Sequence, residues 1–208
     1  MANAESLRRG MQEIARVMAE NRQYLIEMDQ RNGDGDLGIS MADGYAAASQ
    51  ALAQSEENDL GKLMMAAGKA FNEAAPSSLG TITSLGMMGM AKTLKGNEDM
   101  DAALLAEAIQ AGVERIMDRA GSKPGEKTIL DALDPAAKAL AAHAGEGMLP
   151  ALEAAHIAAA QGAENTANMK AVHGRAAYYG DKTLGLIDGG AEVGRLLFSA
   201  LVTAAKGE

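Results

Sequence analysis

Asp29, Asp34 and Asp36 stand close together in the stretch "MDQRNGDGDLGIS". Asp29 lies one helical turn beyond Leu25, so its carboxylate projects from the edge of an apolar helix face, and the other two acids follow a glycine break. Carboxylates from one helix end and one turn can converge on a hard divalent cation, and the intervening glycines allow the tight backbone this requires. The same residues also suit an ordinary Asp/Gly turn, so the segment alone leaves both readings open. An EF-hand register beginning at Asn32 fails, because Leu37 falls where that loop needs Gly and Asp43 falls where it needs Glu.

Three further polar stretches interrupt the apolar pattern. In "APSSLGT", Ser77 and Ser78 precede a helix whose first turn holds Gly80 and Thr81; hydroxyls there can cap the helix or donate to a phosphate. In "RAGSKPGEKTILDAL" the residue before Lys127 is Glu126, where a phosphate-binding P-loop needs Gly, and no strand precedes it. That stretch reads as a helix connection turned by Pro124 and Gly125. In "HGRAAYYGDKTLGLIDGGA", Arg175 can reach a phosphate, and Asp188, Gly189 and Gly190 open the last helix, where amides and the helix dipole favour an anion. A capping Asp188 and a solvated Arg175 would not account for so long a connection. His143, His156 and His173 lack metal-ligand spacing, and only His173 is placed as a site neighbour.

The elements that position these residues follow from apolar periodicity. Leu7, Met11, Ile14, Met18, Leu25 and Met28 repeat at helical spacing, predicting a helix over about 5–29. Similar patterns predict helices over about 38–54, 59–74, 78–95, 101–119, 127–143, 148–167 and 189–206, roughly eight in all. Sparse β-branched and aromatic residues agree with an all-α fold, and the fourteen methionines read as adaptable core filler. No linker or fixed-period repeat divides residues 1–208, so a single domain is expected.

The absence of cysteine excludes disulfides and thiolate chemistry. A net charge of −9 opposes association with nucleic acid or an anionic membrane surface. With no leader-like or bilayer-length apolar run, a soluble cytoplasmic protein is expected.

Taken in order, these stretches resemble the nucleotide-binding L subunit of dihydroxyacetone kinases. "YLIEMDQRNGDGDLGIS" is similar to that family's aspartate segment, "SSLGT" to its serine–glycine loop, "PGEKTILDAL" to its lysine–threonine segment and "HGRAAYYGDKTLGLIDGGA" to its arginine and aspartate–glycine segment. The resemblance covers nearly the whole chain. It implies a closed antiparallel barrel of eight helices, with ADP or ATP and two magnesium ions held by loops at one end. It also implies metal ligation by Asp29, Asp34 and Asp36, and a nucleotide pocket drawn from Leu37, Gly38, Ser40, Ser77, Ser78, Thr81, Ile129, Arg175, Asp188 and Gly189, with Arg175 the catalytic donor. Leu37, Ser40 and Gly189 stand where the family usually has His, Asn and Pro. The implied activity is phosphoryl transfer to dihydroxyacetone or a related short ketose such as erythrulose, held on a separate K subunit. A phosphocarrier protein of the sugar phosphotransferase system is the implied partner if bound ADP is recharged in place. The rival expectation is a non-catalytic nucleotide-binding or regulatory module of the same fold.

Overall fold

The computed structural model describes residues 1–207, and nearly all of its regular structure is helical. The chain runs through α1 (Ala4–Glu20), α2 (Arg22–Asp29), α3 (Leu37–Ala53), α4 (Leu60–Ala74), α5 (Ser78–Leu94), α6 (Ala102–Ala120), α7 (Leu130–His143), α8 (Met148–Asn165) and α9 (Gly189–Lys206). Two two-residue strands, β1 (Ala2–Asn3) and β2 (Asp99–Met100), pair antiparallel, with Ala2 opposite Met100 and Asn3 opposite Asp99. They are too short to carry a sequence pattern and are a small departure from the all-helical expectation.

Eight of the helices form a ring. Apart from the excursion through α2, each packs on the next in chain order from α1 and α3 through to α9, and α9 packs back on α1. Short connections reverse the chain at each step, so neighbours are antiparallel: Lys206 near the end of α9 pairs with Glu153 near the start of α8 at 2.8 Å. This is the closed antiparallel arrangement expected above. The interior is apolar. Met11, Met41, Leu63 and Phe198 are buried there, and Tyr45 meets Phe71 edge to face at 4.8 Å between ring centroids. An apolar cavity of about 180 Å³, lined in part by Met11, Ile109, Ile129 and Phe198, remains within the ring.

The helix expected over 5–29 is two helices. At Asn21 the backbone leaves helical geometry (φ −95°, ψ 7°), while its amide and side-chain Nδ2 both donate to the Val17 carbonyl. The joint therefore bends without losing hydrogen bonds, and apolar spacing continues across it. The helix expected from 127 begins at Leu130, because Lys127 takes a left-handed conformation (φ 59°) that no helix accommodates. Short 3-10 turns, Thr166–Asn168 and Arg175–Thr183, occupy much of the long connection before α9. Among the described residues, no helix is long and apolar enough to cross a membrane.

An even number of alternating helices puts four N-termini on one rim, those of α3, α5, α7 and α9. The four polar stretches of the sequence all lead into them. The other rim carries the strand pair and the connections 54–59, 95–101 and 144–147.

Candidate functional site

Asp29 ends α2, and Asp34 and Asp36 lie in the turn that leads into α3. The turn is built by hydrogen bonds to Asp29: its carbonyl accepts from the Gly33 amide at 2.6 Å, and its Oδ2 accepts from the Gly35 amide at 2.7 Å. Gly35 has φ 79°, and a Cβ on Gly33 would lie 2.1 Å from Asp29 Oδ1, so both positions require glycine. One carboxylate oxygen from each of Asp29, Asp34 and Asp36 then lies within 4.8 Å of the others. Burial, with the Asp34 and Asp29 charges behind it, pushes the Asp36 carboxyl above its ordinary value. Three mutually repelling oxygen donors on a partly exposed rim fit a hard divalent cation, which would remove the repulsion.

Arg175, exposed on the connection before α9, places Nε 2.7 Å from Asp34 Oδ2. Two residues that are far apart in sequence and were both singled out there are thus in contact. Ser77 caps α5, its Oγ accepting from the Gly80 amide at 3.0 Å, while Ser78 and Thr81 are exposed in the same first turn. Leu37 and Gly38 are buried at the start of α3, Gly38 against the Arg22 carbonyl, and Ser40 is buried one turn further in. Ile129, buried, immediately precedes α7. Asp188 caps α9 by accepting from the Ala191 amide at 2.8 Å.

Close approaches tie these first turns together. A Cβ at Gly189 would lie 2.6 Å from Leu37 Cδ2, and one at Gly190 would lie 3.2 Å from the Ile129 amide. The starts of α3, α9 and α7 therefore touch in sequence around the rim. The residue before α3 makes no side-chain cap, whereas the first turn of α7 is closed locally, the Leu130 amide donating to Thr128 Oγ1 at 3.2 Å and the Asp131 amide to the Thr128 carbonyl at 3.0 Å. Burial pushes the Asp188 carboxyl up to about 6, against the pull of the Ala191 amide and Lys127. His173 sits in the same region, its Nε2 2.6 Å from Glu126 Oε2, a contact that holds the Glu126 carboxyl below its usual value.

The sequence reading passed over the residues behind this rim. Lys127 lies in the lysine–threonine segment but is not among the expected site residues, yet it is buried, with Nζ donating to the Thr166 carbonyl at 2.6 Å and to the Leu186 carbonyl. Asp131 is buried and accepts from the Gly125 amide at 2.5 Å and the Thr128 amide at 2.7 Å. A lysine between a proline–glycine turn and a helix reads as solvated. Only the packing of distant segments shows otherwise.

A family model described as the DAK2 domain matches residues 32–203. The chain belongs to the DAK2 domain family. Within it, this DAK2 protein is of the DhaL type. It is 33% identical over 194 residues to the ADP-binding subunit DhaL of PEP-dependent dihydroxyacetone kinase 1 from Listeria innocua, covering 93% of each chain. It is 31% identical over 193 residues to L-erythrulose 1-kinase from Mycolicibacterium smegmatis, covering 92% of this chain and 34% of that one. Among solved structures, it resembles the dihydroxyacetone kinase from C. freundii in complex with AMP-PNP and Mg2+, with a TM-score of 0.78 and 25% identity. That match covers 98% of the DAK2 chain and 34% of the larger kinase.

Proposed function

We propose that residues 1–208 form one nucleotide-binding domain that serves as the magnesium–nucleotide subunit of a dihydroxyacetone-type kinase. It transfers a phosphoryl group to dihydroxyacetone or a related short ketose held on a separate K subunit. The observation that carries this reading is the convergence of Asp29, Asp34 and Asp36 within 4.8 Å on the rim where helix N-termini gather. A site of this kind suits phosphoryl transfer, which depends on positioning and charge neutralisation more than on a covalent protein group.

Asp29, Asp34 and Asp36 hold two Mg2+ ions, which when bound offset the charge of the nucleotide phosphates within a chain of net charge −9. Leu37, Gly38 and Ser40 supply the first turns of α3 beside the phosphates, and Ser77, Ser78 and Thr81 supply hydroxyls and amides from α5. Ile129 forms the apolar wall toward the base, and Asp188 and Gly189 close the pocket from α9. Arg175, resting on Asp34, is the donor to the transferring phosphoryl group. The protein works in the cytoplasm, with no nucleic-acid or membrane partner.

The L. innocua relative is named PEP-dependent and ADP-binding. That favours ADP that stays bound and is recharged by a phosphocarrier protein over free exchange of ATP. Similarity to an erythrulose kinase as well as to dihydroxyacetone kinases widens the acceptor to short ketoses.

The test is to purify the protein in magnesium, denature it, identify the released nucleotide by chromatography, and repeat after chelation. Near-stoichiometric ADP that chelation releases supports the recharged version. An empty protein that binds ATP reversibly with magnesium supports direct ATP use. A protein that binds neither nucleotide overturns the kinase reading in favour of a regulatory module. Phosphorylation of both dihydroxyacetone and erythrulose in the presence of a K subunit then fixes the acceptor.

A further inference from the structure

Lys127 is the single non-glycine residue with positive φ among the described residues (59°), and its side chain is turned wholly inward, 3% exposed. A left-handed conformation is unfavourable for a side chain of this kind and persists only where the surroundings hold it. Here they hold it from three segments. The ammonium donates to the Thr166 carbonyl at the end of α8 and to the Leu186 carbonyl in the connection before α9, and Lys127 itself sits just before α7.

The same contact set continues into the cap of α9. Thr166 Oγ1 accepts from the Asp188 amide at 2.8 Å and donates to the Ala163 carbonyl at 2.5 Å. The Asp188 and Asp131 carboxylates both act on the Lys127 ammonium; burial lowers its pKa, and these two acids raise it. Asp131 fixes the turn on the other side of Lys127 by accepting from Gly125 and Thr128. A single buried cation thus joins the turn before α7 to the turn before α9. Those helices meet at Ile129 and Gly190, one residue from Gly189.

We propose that Lys127 is a positioning residue for nucleotide binding, whose buried ammonium fastens the first turns of α7 and α9 so that Ile129 and Gly189 face one pocket. The proposal rests on the nucleotide reading above. Lys127 has no contact with the aspartate cluster, so its effect is on the nucleotide and not on the metal.

The experiment compares Lys127→Met with wild type, measuring melting temperature, ADP affinity in magnesium, and Mn2+ affinity without nucleotide. The expected result is ADP binding at least about tenfold weaker, with Mn2+ affinity within about twofold of wild type. A folded Lys127→Met protein that keeps ADP affinity within about twofold, whatever its melting temperature, overturns the proposal and leaves Lys127 a structural rivet. Should Lys127→Met fail to fold, Lys127→Met/Asp188→Asn removes both charges while Asn keeps the cap, and Asp188→Asn alone is its reference. The same tenfold loss is expected between that pair, and equal affinities overturn the proposal. Amide hydrogen exchange at Gly189, Gly190 and Ala191, which needs no nucleotide, is expected to quicken in the Lys127 variant. Unchanged exchange also overturns the proposal, whereas wild-type protein that binds neither ADP nor ATP refutes the nucleotide reading itself.

Discussion

The two rims of the barrel solve the same problem, closing eight helix ends, in opposite ways. On the rim without the aspartates, polar groups find local partners. Arg8 donates to the carbonyls of Leu52, Ser55 and Glu57, and Asp59 accepts from the amides of Lys62 and Gly96. Asp101 and Asn3 cap α6 and α1, and the β1–β2 pair joins the start of the chain to the α5–α6 connection. On the other rim, three acids crowd together and a buried carboxyl is pushed up to about 6. A lysine there sits at positive φ, and Tyr178 stands 91% exposed. The aspartate rim thus concentrates arrangements that cost stability, of the kind that cluster at functional sites.

Substitutions on the two rims should therefore dissociate stability from binding, and the largest effect belongs to the acids. Asp34→Asn is expected to weaken magnesium-dependent ADP binding by about 100-fold or more, measured by calorimetry, because an amide supplies one weak neutral donor where the site needs charge. Its effect on melting temperature is expected to be small, since the Arg175 contact it loses is exposed.

Arg8→Ala should behave in the reverse sense. Losing a charged donor shared by three backbone carbonyls is expected to cost about 2 kcal/mol in denaturant unfolding while leaving ADP affinity within about twofold. Equal losses of affinity from both variants would break the distinction between the rims.

Asp188 gives a sharper, pH-resolved comparison. Its folded pKa, about 6, is raised above the unfolded 3.8, so the folded state binds the proton more tightly and ionisation destabilises it. The wild type is thus relieved of this cost below about pH 4 and bears it fully above about pH 6. Asp188→Asn, which keeps the cap, is expected to gain on the wild type by on the order of 1–2 kcal/mol as pH rises through that window, then run parallel. Urea unfolding at pH 4, 5, 6 and 7 measures it, and a constant difference would contradict the assignment of strain to Asp188.

The smallest effect concerns the metal-free cluster. Asp36→Asn should raise stability at pH 7 slightly, because its carboxyl is held above the ordinary range by burial and by its two acidic neighbours, an effect that solvent screening at this exposed position keeps small. Thermal unfolding in chelator reads this out.

Much of this contrast was legible in the sequence. Apolar spacing located the helices, and the four polar stretches all proved to lie on one rim. The convergence of Asp29, Asp34 and Asp36, open as a metal site or a turn from the segment itself, is decided as a cluster by the hydrogen bonds of Gly33 and Gly35 to Asp29. What stayed hidden depended on tertiary contacts. Asn21 bends a helix whose apolar period runs on unbroken, and Lys127 is buried only because the ends of α8 and the connection before α9 fold over it. Local propensity carries no record of such neighbours. The contact between Leu37 and Gly189 likewise joins residues 152 positions apart and appears only once the ring has closed.

The central claim, that the aspartate rim is a magnesium–nucleotide site, is tested most directly by titrating ADP into nucleotide-stripped protein with magnesium and with chelator, for wild type and Asp34→Asn. The account predicts tight binding only for wild type with magnesium, and weak binding in the other three cases. ADP binding of equal strength with and without magnesium, or unchanged by Asp34→Asn, would contradict it.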